Sequence, residues 1–144
     1  MSGFPSTGSS RSVACVLACS GCCAAGELAD QTARRLQKLG VAEMICLAGV
    51  DGRIPSILAT VQDASCILMI DGCWWECGSK LLRKGECLNF KHFKLHEAGV
   101  HKYNVAAVDE ATMERLVHEA MRMLSGSGDE SGGSKSGQDQ ATGV

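Results

Sequence analysis

Six of the nine cysteines stand where their sulfurs can share a centre. Cys19-Ser20-Gly21-Cys22 is a C-x-x-C whose glycine lets two sulfurs turn toward one ion, and Cys23 follows directly. Cys73 and Cys77 close the stretch CILMIDGCWWEC, spaced like neighbours one helical turn apart, and Cys46 lies between the two pairs in the chain. Two such pairs supply the four ligands of a tetrahedral zinc, with Zn–S near ~2.3 Å. Four thiolates also satisfy an iron-sulfur cluster. A third chemistry is open: a C-x-x-C after a strand, here Cys19 and Cys22, can cycle to a disulfide. Against that, thioredoxin-like sites set a cis-proline opposite the pair, and the two prolines are Pro5 and Pro55. A zinc closed by four thiolates has no open position, so hydrolysis by a metal-bound water is expected only if one ligand is absent.

The remaining cysteines read differently. Cys15, Cys66 and Cys87 lie in or beside apolar runs, where a free thiol behaves as a small hydrophobe. Cys46 divides evenly between core and site, because one residue of strand register reverses where it points. Asp71 has three competing roles: capping the turn after its strand, supporting a ligand through a hydrogen bond, or ligating directly; the turn is the commonest. Trp74 and Trp75 either shield a metal or present a surface to a protein partner, which their exposure would separate. His96 falls at the same edge as the cysteines, although a histidine in an amphipathic stretch is more often solvated than ligating. Lys80, Arg83 and Lys84 form a solvated helix face.

These residues need elements to hold them. Residues 13–18 form a short apolar β-run, followed by a loop and a helix with Leu28, Thr32, Leu36 and Leu39 on one stripe and Gly40 at its C-terminal end. Residues 43–48 are a second strand with GVDGR as its turn, and 54–64 a helix with Pro55 in its first turn. Residues 66–70 are a third strand, 76–84 a third helix, and 90–95 a more polar fourth strand suited to an edge. Asp109 caps a last helix whose core stripe is Met113, Leu116, Val117, Ala120 and Leu124. Alternating apolar strands and helices imply an α/β three-layer sandwich: a mainly parallel four-stranded sheet, order 2-1-3-4, with helices on both faces. The carboxyl ends of strands 1 to 3 then converge on one crevice, and the thiols converge with them. Each local pair also precedes a helix, whose N-terminus favours thiolate over thiol.

Composition sets the limits. A chain of 144 residues allows one domain, over 12–124, with disordered polar tails at 1–11 and 125–144. Net charge is -2 with interspersed signs and aromatics are 4%, so nucleic acid and anionic membranes are not expected partners. No apolar run approaches the ~20 residues of a membrane span. Val16-Leu17-Ala18-Cys19 looks like a lipoprotein cleavage site, but the apolar stretch before it falls short of the ~7–15 residues required. Cysteines beside apolar runs and helices, rather than spread through loops, suit metal or redox chemistry in a reducing cytoplasm. A phosphatase-type loop starting at Cys19 would need an arginine where Ala25 stands, and no glycine-rich dinucleotide fingerprint follows strand 1.

Four segments, CSGCCAAGELADQTARRL, MICLAGVDG, IDGCWWEC and LHEAGVHK, resemble successive signatures of the DGC-domain family, whose recurring cysteines are proposed zinc chelators. The resemblance runs from about Val13 to Lys102, with Asp71-Gly72-Cys73 as the triplet that names the family. It implies zinc at Cys19, Cys22, Cys46, Cys73 and Cys77, one thiol more than a tetrahedral ion needs. Two departures stand out: Trp74-Trp75 replaces a proline and a small residue, and Cys23 adds a vicinal thiol.

Overall fold

The structure is a computed structural model that describes residues 12–19, 21–103 and 109–126. Its elements follow in the order β1 (Cys15–Ala18), α1 (Ala24–Lys38), β2 (Glu43–Met44), α2 (Leu47–Asp51), α3 (Pro55–Asp63), β3 (Ile67–Asp71), α4 (Cys77–Lys84), β4 (Lys91–Lys94) and α5 (Glu110–Leu124). The strands form one parallel sheet in the order β2-β1-β3-β4, as the alternation of elements implies. All five residues of β3 are buried, which requires cover on both faces of the sheet. Two helix pairs supply it: α1 packs on α5, where Arg35 pairs with Glu110, and α2 packs on α4.

The helix signals work as their chemistry requires. Leu28, Thr32 and Leu36 face the core, and the Thr32 hydroxyl donates to the Leu28 carbonyl at 2.7 Å, so its burial leaves no unpaired polar group. Gly40, at φ +69°, supplies the left-handed turn after α1. Pro55 opens α3 at a position whose N–H has no intrahelical partner. Asp109 accepts from the Thr112 N–H at 2.6 Å and caps α5, where Met113, Leu116, Val117 and Ala120 are buried and Leu124 is half-buried.

Three local expectations are corrected. The expected strand over 43–48 pairs only at Glu43–Met44, because residues 47 to 51 coil into α2 with Leu47 and Val50 turned into the core. A run of five apolar residues, 44–48, satisfies a short helix as well as a strand, and here the i, i+3 pair wins. Cys46 is thus the residue before a helix and not a strand residue. Leu39, expected on the α1 stripe, is exposed, since the helix has ended and the chain turns away. The helix expected over 76–84 is α4, which begins at Cys77, with Glu76 just outside it in a left-handed conformation. The expected tail at 1–11 lies outside the described residues, as does that at 125–144 except for Ser125, which caps α5, and Gly126. Among the described residues no helix is long and apolar enough to cross a membrane.

Candidate metal centre

The pairing of β1 with β3 builds the site. Ala18 lies opposite Ile70, so the residues that follow, Cys19 and Asp71, stand at the same level at the carboxyl end of the sheet. The Cys19 N–H donates to the Ile70 carbonyl at 3.0 Å, and the Gly72 N–H donates to Cys19 Sγ at 3.3 Å. Gly72 has no room for a side chain: a Cβ there would lie 2.3 Å from the Ala25 carbonyl oxygen and 2.6 Å from the Gly26 nitrogen. The start of α1 is therefore pressed directly onto the loop after β3, and the glycine of the triplet is what permits it.

Asp71 is fully buried, and its carboxylate is fully engaged. It accepts from the Gly78 N–H at 2.8 Å and the Ser79 N–H at 2.9 Å, satisfying two orphan donors at the start of α4, and lies 2.8 Å from His92 Nε2. Burial pushes this carboxyl up, yet the hydrogen bonds from His92, Ser79 and Gly78 outweigh it and hold Asp71 below its ordinary range. Of its three candidate roles, Asp71 caps, though across a helix end and not only a turn, and it thereby fixes where Cys77 begins α4.

Ligand atoms of Cys19, Asp71 and Cys77 all lie within 4.8 Å of one another. Two sulfurs on one tetrahedral zinc stand about 3.8 Å apart, so a gathering of this size suits the ion. Burial raises the Cys19 thiol to about 12; the Gly72 N–H pulls it back while Asp71, Cys77 and Cys73 add to the rise. Burial, then Asp71 and Cys73, also raise Cys77. Helix N-termini therefore do not by themselves create thiolates at Cys19 and Cys77. A cation inverts that balance, because a coordinating thiol is deprotonated outright.

The other cysteines occupy distinct places. Cys73 is buried in the loop between Asp71 and α4, close enough for its charge to be felt by both Cys19 and Cys77. Cys22 and Cys46 are exposed and stand outside the 4.8 Å group: Cys22 in the loop before α1, Cys46 at the N-terminus of α2. Cys23 is the half-buried N-cap of α1. Cys15 is core, 1% exposed, while Cys66 and Cys87 are half-buried and line a cavity of about 510 Å³ at the start of β3 and β4, the end of the sheet away from the thiols.

His96 is not at the thiols. Its Nε2 lies 3.7 Å from Glu76 Oε1 and 4.0 Å from Glu97 Oε1, and the Lys94 ammonium already sits 3.2 and 3.3 Å from those same carboxylates. Trp74 and Trp75 are 55% and 60% exposed, too open to seal the site from water. Both rings contact the ammonium of Lys102, whose Nζ stands 3.4 Å from the Trp75 centroid, 5.1 Å from that of Trp74 and 5.2 Å from that of Tyr103. Lys102 and His92 were not singled out from the sequence. A signal exists for His92: with Phe93 buried, strand alternation places His92 and Lys94 together on the opposite face. For Lys102 the sequence holds none.

The family model described as the DGC domain matches residues 15–120. A protein of Pseudomonas aeruginosa, "Anaerobic and virulence modulator AnvM", is 35% identical over 113 residues, which cover 78% of this chain and 86% of that protein. No solved structure matches. The domain, its many cysteines and the Cys19–Asp71–Cys77 gathering are together compatible with metal binding. On a match that spans most of its length, the chain belongs to the DGC-domain family.

Proposed function

We propose that this protein holds one zinc ion through thiolates at the carboxyl ends of β1 and β3 and uses the site to sense, not to catalyse. The observation that carries the reading is the convergence of Cys19 and Cys77 around the fully engaged Asp71. Cys73, buried in the same loop, is the third ligand, and Cys22 the fourth, delivered by the short C-x-x-C loop. Cys46, exposed at the start of α2, is the thiol left over. When bound, zinc supplies charge to hold the thiolates and ties two strands and a loop together. Four thiolates leave no open coordination position, which disfavours hydrolytic catalysis.

A sensing role draws on two supports. Exposed Cys22 and Cys77 give oxidants and competing chelators points of entry to a ligand set whose other members, Cys19 and Cys73, are buried. The Pseudomonas relative is named as a modulator, and a regulatory role is carried from that name to this chain. Exposed Trp74 and Trp75 form the surface for a protein partner, since aromatic side chains are enriched at interface centres. Thiolates survive best in a reducing compartment, so the reading implies a cytoplasm.

Elemental analysis and an absorption spectrum of protein purified without added metal or oxygen test this. One zinc per chain without visible absorbance is expected, lost on Cys19→Ser, Cys22→Ser, Cys73→Ser or Cys77→Ser and kept in Cys46→Ser. A brown chromophore would assign an iron-sulfur cluster instead, and metal-free protein with a readily reduced Cys19–Cys22 disulfide would replace the zinc reading with a redox one.

A further inference from the structure

Besides the contact of Gly72 with Cys19 and the start of α1, the stretch that carries Cys73 and Cys77 is tied to residues 92–102. Asp71 meets His92, Glu76 meets Lys94 and His96, and Trp74 and Trp75 meet Lys102. Every one of these contacts runs from residues 71–76 to residues 92–102, so β4 and the turns after it form a strap across the metal loop. Holding Glu76 against that strap coincides with strain: it is one of three non-glycine residues with positive φ among the described residues, at φ +47°.

Lys102 stands out within the strap. It is 6% exposed, and among the described residues no carboxylate pairs with it; its charge rests on the faces of aromatic rings that are themselves more than half exposed. A desolvated ammonium over tryptophan is held by the ring quadrupole, and salt screens such a buried contact little. The two tryptophans lie between Cys73 and Cys77, so whatever fixes their rings fixes the loop that spaces the two sulfurs.

We infer that Lys102 is a positioning residue for the thiol site, a latch that keeps the Cys73–Cys77 loop closed by gripping Trp75 and Trp74. The inference rests on the proposed zinc reading for its purpose, since the latch then governs how readily the ion leaves. Removing the ammonium while keeping the stem, as in Lys102→Met, frees the rings without opening a large void.

The test uses the full-length protein in two states. For zinc-loaded protein, release is followed as transfer to a chromogenic chelator; for metal-free protein, alkylation of the buried Cys73 by N-ethylmaleimide is timed by mass spectrometry. Lys102→Met is expected to speed both processes roughly tenfold, the loss of one desolvated cation–π contact. Trp75→Leu should do the same, the double variant should be no faster than either single one, and Lys102→Arg should restore the wild-type rates. Lys80→Met, on the exposed face of α4, should change nothing. If Lys102→Met does not fold, Trp75→Leu and Lys102→Arg carry the comparison, because the Trp75 ring is largely exposed. Unchanged rates in these variants, or additive effects in the double variant, would overturn the latch while zinc loss in Cys19→Ser left the zinc reading standing. Faster alkylation in a protein that takes up no zinc would do the reverse, keeping the latch on the loop and removing its purpose.

Discussion

Replacing Gly72 by alanine is the sharpest challenge to the way this site is built. The added Cβ would meet the Ala25 carbonyl oxygen at 2.3 Å, the Ala25 carbonyl carbon at 2.4 Å and the Gly26 nitrogen at 2.6 Å. A comfortable carbon–oxygen approach is about 3.3 Å, so the start of α1 or the loop after β3 must retreat by about 1 Å. All three atoms are backbone, and neither a helix start nor a loop whose Asp71 is hydrogen-bonded three ways yields as a flexible side chain does. Overpacking of this kind costs about 1–3 kcal/mol, and the rigidity of both partners puts Gly72→Ala near the upper end. The same retreat lengthens the 3.3 Å hydrogen bond from the Gly72 N–H to Cys19 Sγ and pulls Cys19 from Cys77. Two readouts follow: urea denaturation of the metal-free protein, and zinc stoichiometry of the loaded one. Both should fall together. Gly85→Ala is the matched control, because its nearest contact is an ordinary 3.4 Å to the Leu81 carbonyl oxygen and its φ is −78°. Gly72→Ala with wild-type stability and full zinc content would refute the account of the triplet's glycine as a packing requirement.

Other outcomes test separate parts of the argument. Asp71→Asn leaves the helix N–H groups and His92 with one oxygen where two served them, and should cost about 2–3 kcal/mol in denaturation experiments. Because Asp71 is held below its ordinary value of 3.8, its contribution is intact above that pH and is lost as pH falls through the lower folded-state value, a component of acid unfolding that Asp71→Asn should lack. In metal-free protein the raised Cys19 thiol acts at the other end. The unfolded chain releases its proton near 9.0 while the folded one keeps it to about 12, so stability should decline across that interval, and Cys19→Ala should flatten the decline. Cys15→Ser buries a hydroxyl in the core and should cost about 1–3 kcal/mol while leaving zinc content unchanged.

Much of the fold was legible because its signals are periodic. Apolar runs ending in turns alternated with amphipathic stretches, and parallel pairing with right-handed crossovers leaves few strand orders for such a series. The failure at Cys46 came where periodicity is weakest: five apolar residues suit two patterns, and the packing of Leu47 and Val50 decides between them. The approach of Cys19 to Cys77 was legible from their position after strand ends. What lay beyond reach was the second rank of residues. Asp71 caps α4 only because that helix starts where two N–H groups face back along β3, and Lys102 finds the tryptophans only because β4 returns its following turns to the same edge. Such partners are set by three-dimensional closure, and no spacing within one segment encodes them.

The strap also dictates an order of events during synthesis. Cys19 and Gly72, joined by a hydrogen bond, are 53 positions apart, and the segment that anchors the loop beyond Gly72 runs on to Lys102. A chain growing from its amino end displays Cys19 and Cys22 long before β3 can slot beside β1, and β3 stays an edge strand until β4 pairs with its other side. An early ion therefore meets two mobile thiols with a low hold on it, and tight capture waits for the last strand. On the proposed zinc reading, metal loading would mark completion of the sheet, so the loaded form would certify a finished fold.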